Sequence, residues 1–167
     1  MPYWERAPLC TWYTTMDSPF GPVCLVGTEQ GLIRVDFQRG DRPVQPDLTW
    51  QQHTGQLDLV QQQLHEYFQG QRRQFTFPLA PTGTSFQQRV WQELRGIPFG
   101  TTLTYRELAQ RLGLPRAARA VGHANGRNPV AIVIPCHRLI GSAGQLRGYA
   151  GGLGLKRCLL QHEGVKF

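Results

Sequence analysis

The apolar positions of this chain change their spacing several times, and each change marks an element. Residues 9–14 and 23–27 are short apolar-rich runs, and between them Asp17-Ser18-Pro19-Phe20-Gly21-Pro22 concentrates turn-forming residues. Glu29-Gln30-Gly31 supplies a tight turn, and Leu32-Ile33-Arg34-Val35-Asp36-Phe37 then alternates with period two in its later part. Residues 40–46 read as a loop. From residue 47 to 68 the spacing turns helical: Leu57, Val60, Leu64, Tyr67 and Phe68 share a stripe, and Gly70 offers a stop. A short strand is expected over 74–77. This half predicts a small antiparallel sheet with one helix, a scaffold without chemistry of its own.

The second half is punctuated differently. Residues 79–83 form the expected linker, and Ser85 with Gln88 reads as a capping box that opens a helix with Phe86, Val90 and Leu94 inward. Gly96-Ile97-Pro98-Phe99-Gly100 ends it. Thr104 with Glu107 forms a second capping box, and Tyr105, Leu108, Ala109 and Leu112 face inward or toward a site. After the turn Gly113-Leu114-Pro115, an Ala-rich helix is expected over 116–125, giving the outline of a helix-turn-helix. Arg116, Arg119 and His123 fall on one of its faces, with Ala117, Val121 and Ala124 opposite. The small residues Ala118, Ala120 and Gly122 line the charged face, so a duplex backbone can approach closely. A glycine-rich stretch over 141–152 precedes a last helix, expected over 155–163 with Leu155 and Leu159 buried.

The run Val130-Ala131-Ile132-Val133-Ile134 predicts a buried extended segment that Pro135 stops. By that reading a rigid rod presents Cys136 at its end, with fixed backbone behind and open space ahead. A free cysteine is more often a small buried hydrophobe, because reactivity needs a setting that favours the thiolate. Here His137 and Arg138 follow directly, and both lower the cost of a thiolate. Neighbours in an extended chain point opposite ways, so a turn after Pro135 or a bridging water has to connect Cys136 with His137. Glu163 falls in the last turn of its predicted helix, where the dipole disfavours a carboxylate by roughly a few tenths of a kcal/mol. Either it is merely exposed, or it is held there to pair with a histidine.

Composition narrows the class. The 167 residues allow one domain or two small ones sharing an interface, with 40% hydrophobic residues. No apolar stretch approaches the roughly 18 residues of a membrane span. The first residues lack the apolar core of a signal peptide, so a cytoplasmic protein is expected. Net charge is +7, unevenly placed: residues 1–85 carry 6 Arg against 8 acidic residues, and residues 86–167 carry 12 Lys and Arg against 3. A surplus confined to one half points to a polyanion, foremost nucleic acid. Cys10, Cys24, Cys136 and Cys158 form no CxxC pair, and disulfides are not expected in a reducing compartment. Cys10 and Cys24 with His53 or His65 match no zinc spacing, so no metal is expected.

Several short stretches, taken in order, resemble one family. They are Arg119-Ala120-Val121-Gly122, Asn128-Pro129, Ile134-Pro135-Cys136-His137-Arg138, Gly148-Tyr149 with Gly151-Gly152, and His162-Glu163-Gly164. Over residues 86–164 the chain resembles the O6-alkylguanine-DNA alkyltransferases, the direct-reversal DNA repair proteins; the first half matches loosely, through Asp17-Ser18-Pro19-Phe20-Gly21. In length it is similar to the stand-alone bacterial type. The resemblance implies an α+β fold, with a ribonuclease-H-like antiparallel sheet and helix over 1–80 and a winged-helix-like helical domain with the helix-turn-helix over 84–167. It implies that Cys136 is the nucleophile and irreversible alkyl acceptor, that His137 deprotonates it through a water, and that Glu163 orients His137, a triad-like arrangement. Tyr105 would assist the departing guanine. Tyr149, Leu139 and Ala150 would form the guanine pocket, with backbone groups near Cys136, Leu139 and Ala150 reading the base edge.

A stacked base cannot present O6 to a sulfur in line, so the nucleotide has to be flipped out. By resemblance Arg119 fills the gap from a helix in the minor groove, and Arg106, Ala118, Ser142 and Asn128 complete the DNA-binding set. Asn128 would tie that helix to the active-site segment. The expected partner is double-stranded DNA containing O6-alkylguanine, with no cofactor, no membrane and no obligate protein partner. Two departures stand out: Leu139 where valine is frequent, and Arg147 in the loop before Tyr149. Three other readings compete: a non-catalytic helix-turn-helix lesion binder, which in this family lacks the acceptor cysteine; a turning-over cysteine hydrolase using Cys136, His137 and Glu163; and a structural thiol at Cys136, against which the adjacent His137-Arg138 pair and the placement of Glu163 weigh.

Overall fold

In the computed structural model, which describes residues 10–38 and 45–166, three strands of the first half pair in sequence order. β1 (Thr11–Met16) and β2 (Val23–Thr28) are antiparallel, joined through the turn that Ser18 closes by donating from Oγ to Gly21 O at 2.6 Å. β3 (Gly31–Phe37) runs back along β2. A two-residue strand β4 (Gln51–Gln52) adds to the far side of β1 in parallel, so the sheet order is β3-β2-β1-β4 and the sheet is mixed rather than antiparallel. The start of the first predicted strand and most of the loop expected over 40–46 lie outside the described residues.

The first helix is shorter than its stripe suggests. α1 (Asp58–Phe68) replaces the expected 47–68, because β4 and a turn around Gly55 take the earlier residues. The predicted strand over 74–77 is absent. The chain there runs as an irregular connection, and the strand-like contact falls later, where Leu32 N donates to Pro78 O and Ala80 N to Leu32 O, both at 2.9 Å. Gly31 makes that approach possible: at φ +140° a Cβ would sit 2.6 Å from Pro78 O.

α2 (Ser85–Arg95) opens on a capping box one residue earlier than expected, formed by Thr84 and Gln87. The second capping box is as read: Thr104 and Glu107 open α3 (Tyr105–Arg111). α4 (Ala118–Gly126) comes after a turn and leaves Arg116 ahead of the helix. α3 and α4 form the helix-turn-helix, and α2 packs on α4, where Trp91 Nε1 donates to Ala124 O at 3.0 Å. α5 (Leu153–His162) starts two residues early and leaves Glu163 as its C-cap. One hydrophobic core runs through both halves, from Val23, Leu25 and Leu64 to Val121, Ile134 and Leu159.

A second, two-stranded sheet links the helix-turn-helix to the cysteine segment. β5 (Leu103–Thr104) pairs in parallel with β6 (Leu139–Ile140). β5 leads directly into Tyr105, and β6 comes directly after Cys136-His137-Arg138. The pairing thus brings the start of the helix-turn-helix beside the cysteine turn.

Candidate active site

The apolar run before Cys136 does not form a strand. Residues 131–133 turn, and Asn128 supplies the bonds that a ladder would have given: its Oδ1 accepts from Val130 N at 2.9 Å and its Nδ2 donates to Ile134 O at 2.7 Å. Ile132 sits at φ 70°, a left-handed conformation that a β-branched residue adopts at a cost of about 1–3 kcal/mol. Burial holds it there, since Ile132, Val133 and Ile134 are all core residues. An apolar run of this length carries the same periodicity whether it is a buried strand or a buried turn. The cysteine is still presented from a fixed support. That support is a braced turn, and Asn128, two residues after α4, ties it to the helix-turn-helix.

Cys136 begins a single 3₁₀ turn, Cys136–Arg138. The residue is 6% exposed and lines a cavity of about 230 Å³ together with Arg34, Asp36, Asn125, Asn128, Tyr149 and Ala150. Burial pushes the thiol above its ordinary pKa; the side chain of Asn128, the charge of Lys156 and the side chain of Tyr149 pull the other way. Arg138 is not among these groups. The expectation that it favours the thiolate is therefore corrected: the nearby cation is Lys156, fully buried in α5, with Nζ donating to Arg147 O at 2.8 Å. Burial lowers the Lys156 ammonium to about 8, and the nearby Cys136 opposes that fall.

Arg138 is committed elsewhere. Its Nε donates to Glu163 Oε2 and its Nη2 to Oε1, each at 2.8 Å, and Nη1 reaches Ile97 O at 2.5 Å. His137 Nε2 lies 2.8 Å from Glu163 Oε1, Tyr67 Oη donates to the same oxygen at 2.8 Å, and Gly100 N donates to Oε2 at 3.2 Å. Gly100 is required at this point: at φ +75° a Cβ would lie 2.8 Å from Glu163 O. Burial raises the Glu163 carboxyl, but the hydrogen bonds from His137 and Arg138 outweigh it and hold the group well below the usual carboxylate range. Glu163 is thus a buried, ionised acceptor, which settles the choice between an exposed and a paired carboxylate.

The carboxylate also fixes the tautomer of His137. An ionised oxygen at 2.8 Å requires the proton on Nε2, which leaves the Nδ1 lone pair free. Burial pushes the imidazole below its ordinary pKa, and the Glu163 hydrogen bond opposes that shift, so the ring stays neutral. Nδ1 is buried with no hydrogen-bond partner among the described residues. No direct hydrogen bond joins it to Cys136. The thiol thus stands next in sequence to an imidazole that Glu163 orients, with no direct hydrogen bond between the two.

Of the other expected site residues, Asn128, Tyr149 and Ala150 line the cavity, while Tyr105 stands outside its lining. Tyr105 Oη donates to Arg147 O at 3.2 Å, the Lys156 ammonium lies 5.8 Å from the Tyr105 ring centroid, and the ring packs beside Gly122 of α4. Burial raises the Tyr105 hydroxyl, and Cys136 adds to the rise. Tyr149 presents a buried hydroxyl with no hydrogen-bond partner among the described residues, and Ala150 lines the cavity. Leu139 is fully buried in the core and does not line the cavity, so its expected place in the guanine pocket is corrected. Arg119, Arg106 and Ser142 are exposed and Ala118 half-buried, on or beside the helix-turn-helix and the loop after β6.

Sequence reasoning misses several contributors. Tyr67 reads only as part of a stripe, Lys156 draws no notice, and the first half reads as inert. That last reading is corrected, since α1 supplies a hydroxyl to Glu163 and β3 supplies a wall of the cavity. A lysine between Leu155 and Leu159, one helical turn before Leu160, is the legible signal for Lys156. Nothing local marks Tyr67, whose partner lies 96 residues away. No cluster of metal-ligating side chains is found among the described residues.

Comparison with known proteins agrees with this geometry over most of the chain. Residues 85–165 match the family model for the 6-O-methylguanine DNA methyltransferase DNA-binding domain, and residues 11–81 match that for its ribonuclease-like domain. The methylated-DNA–protein-cysteine methyltransferase of Methanosarcina acetivorans is 46% identical over 153 residues, covering 92% of this chain and 98% of that protein. The protein of the same name from Mycobacterium leprae is 47% identical over 150 residues, covering 89% and 90%. The crystal structure of Mycobacterium tuberculosis O6-methylguanine methyltransferase superposes with a TM-score of 0.83 at 45% identity, covering 92% of each chain. The complex of the M. tuberculosis protein with DNA gives 0.84 at 44% identity, covering 91% and 92%. With a ribonuclease-like sheet domain, a helix-turn-helix domain and a cysteine buried between them, the chain belongs to the 6-O-methylguanine DNA methyltransferases.

Proposed function

We propose that this protein repairs DNA by taking the alkyl group from O6 of a flipped guanine onto the sulfur of Cys136, once per molecule. The observation that carries the reading is the Cys136-His137-Glu163 arrangement, in which Cys136 lines a cavity and His137 and Glu163 are buried behind it. The imidazole is fixed in the tautomer whose free nitrogen can accept a proton. His137 Nδ1 takes the thiol proton through a relaying water. The sulfur then attacks the alkyl carbon in line, the carbon–O6 bond breaks, and the electron pair stays with the purine. The thiol proton ends on the guanine, so thiol and alkylguanine become thioether and guanine. Tyr105 donates a hydrogen bond to the base as charge develops on it, and Lys156 steadies the thiolate.

Binding uses the charged face of the helix-turn-helix. Arg119 fills the space left by the extruded nucleotide, Arg106 and Ser142 contact the backbone, and the small side chain of Ala118 allows close approach. Asn128 serves by bracing the cysteine turn. Phosphate contacts offset the cost of flipping, so affinity falls with added salt. Guanine is read in the cavity by Tyr149 and Ala150. The substrate is double-stranded DNA carrying O6-alkylguanine, met in the cytoplasm.

The test is stoichiometry. With an excess of oligonucleotide containing O6-methylguanine, product should rise to one equivalent of protein and stop. Continuous release beyond one equivalent would show a hydrolase, and binding with no product a lesion binder.

A further inference from the structure

The cavity at Cys136 has one wall that belongs to the other domain. Its lining includes Arg34, Val35, Asp36 and Phe37 of β3, opposite Tyr149, Ala150 and Gly151. Two local features put these side chains there. The first is a bulge: β3 pairs Arg34 with Val26 but Leu32 with Gly27, leaving Ile33 as the extra residue. Without it, period-two alternation from the buried Leu32 would turn Arg34 inward and Val35 outward. With it, Val35 is buried at 1% exposure, and Arg34 and Asp36 share the outer face.

The second feature is a stitch. β3 is the edge strand, and at Val35 its open side is bonded to the loop that carries the cysteine: Val35 N donates to Pro129 O at 2.9 Å and Ala131 N to Val35 O at 3.3 Å. The residues flanking Val35 are therefore held at a fixed offset from the support of Cys136. Arg34 and Asp36, two residues apart on one face of β3, then pair with each other along this wall, their side chains 44% and 30% exposed. The pair leaves this wall of the cavity occupied by two mutually tethered polar side chains.

We propose that the Arg34–Asp36 pair is the specificity determinant for the alkyl group, bounding the space behind the reacting carbon. This rests on Cys136 being the acceptor. On this assignment the smallest adduct, a methyl group, is indifferent to the wall, and a bulkier group such as benzyl is the one that meets it. A group bearing a carboxylate meets Arg34, whose charge is balanced by Asp36.

The experiment compares single-turnover rates on duplex oligonucleotides carrying O6-methyl-, O6-benzyl-, O6-propyl- and O6-carboxymethylguanine, with unfolding temperatures recorded for each variant. In the double variant Arg34→Ala/Asp36→Ala the benzyl-to-methyl ratio should rise five- to tenfold. Asp36→Ala alone leaves the cation unpaired and should raise the carboxymethyl-to-propyl ratio at least threefold, whereas Arg34→Ala should lower it. Arg34→Lys with Asp36→Glu keeps both charges and should restore the wild-type charge preference. Ratios unchanged within twofold across folded variants would overturn the assignment. Failure of the underlying reading looks different: the wild-type protein would then leave no methyl on Cys136 from any substrate.

Discussion

The two halves of this molecule hold the same buried carboxylate, Glu163, and differ in how they do it. The C-terminal half does so with neighbours in sequence: His137 and Arg138 come directly after the cysteine, and both bind Glu163. The N-terminal half contributes one hydroxyl, from Tyr67 in α1, and one wall, from β3. Chemistry that must be tightly correlated is encoded locally, where a single 3₁₀ turn fixes its geometry. Support and selectivity can come from afar, because an unbroken core joins the halves. A part that looks inert in sequence can still decide how well the reactive part works.

Replacing the acceptor tests the local side of this contrast hardest. Cys136→Ala should abolish alkyl transfer while duplex affinity stays within about threefold, since Cys136 is buried at 6% exposure. Loss of binding as well would mean that the cysteine holds the fold. Glu163→Gln should slow transfer by about 100-fold or more, the usual contribution of an oriented general base. It should also destabilise the protein by about 3–5 kcal/mol, because Arg138 is left with an uncompensated buried charge. Retention of both rate and stability would refute the buried network.

Much of the reactive centre is legible in sequence because its members are adjacent and of unusual type. Cysteine, histidine and arginine in succession, and a carboxylate at an unfavourable helix end, each violate a local preference and so point to a site. The second capping box is readable for a related reason, as Thr104 and Glu107 satisfy backbone groups only three residues apart. What fails is the non-local part. The run 130–134 reads as a strand because apolar periodicity cannot distinguish a buried turn from a buried ladder, and the deciding group is the side chain of Asn128. The expected 47–68 helix overruns because Leu57 starts the stripe that α1 uses, while the residues before it are claimed by pairing with β1. Tyr67 satisfies its stripe equally well whether or not its hydroxyl has a partner.

The contrast sharpens on the DNA-facing side. Arg119→Ala should slow repair within a duplex by about tenfold or more, yet leave reaction with free O6-benzylguanine within about twofold, because a free base needs no extrusion. Equal losses on both would place Arg119 in the chemistry instead. The remote support should show a smaller effect. Tyr67→Phe removes one of several hydrogen bonds to Glu163 and should cost about 1–2 kcal/mol of stability, with a rate loss of less than tenfold. A silent Tyr67→Phe would leave the β3 wall as the N-terminal domain's one contribution to the site.

The smallest predicted shift is in pH dependence. Burial disfavours the charged imidazole, so His137 remains a base below its ordinary value of about 6.5. The acid limb of the single-turnover rate should therefore have its midpoint below pH ~6.5. A midpoint at or above that value would indicate an imidazole held charged by Glu163. The rate should be measured on a free base, so that DNA binding does not contribute to the profile.

One measurement tests the central claim most directly. The protein is mixed with duplex DNA carrying a single isotopically labelled O6-methylguanine, digested, and mapped by peptide mass spectrometry. The account predicts one labelled methyl on the peptide containing Cys136 and none on those containing Cys10, Cys24 or Cys158. Cys24 is the sharpest internal control, since it too is buried, but its thiol is pushed up by burial and by Asp36 with only Arg34 opposing. Label on another cysteine, or on none while the lesion persists, would contradict the account.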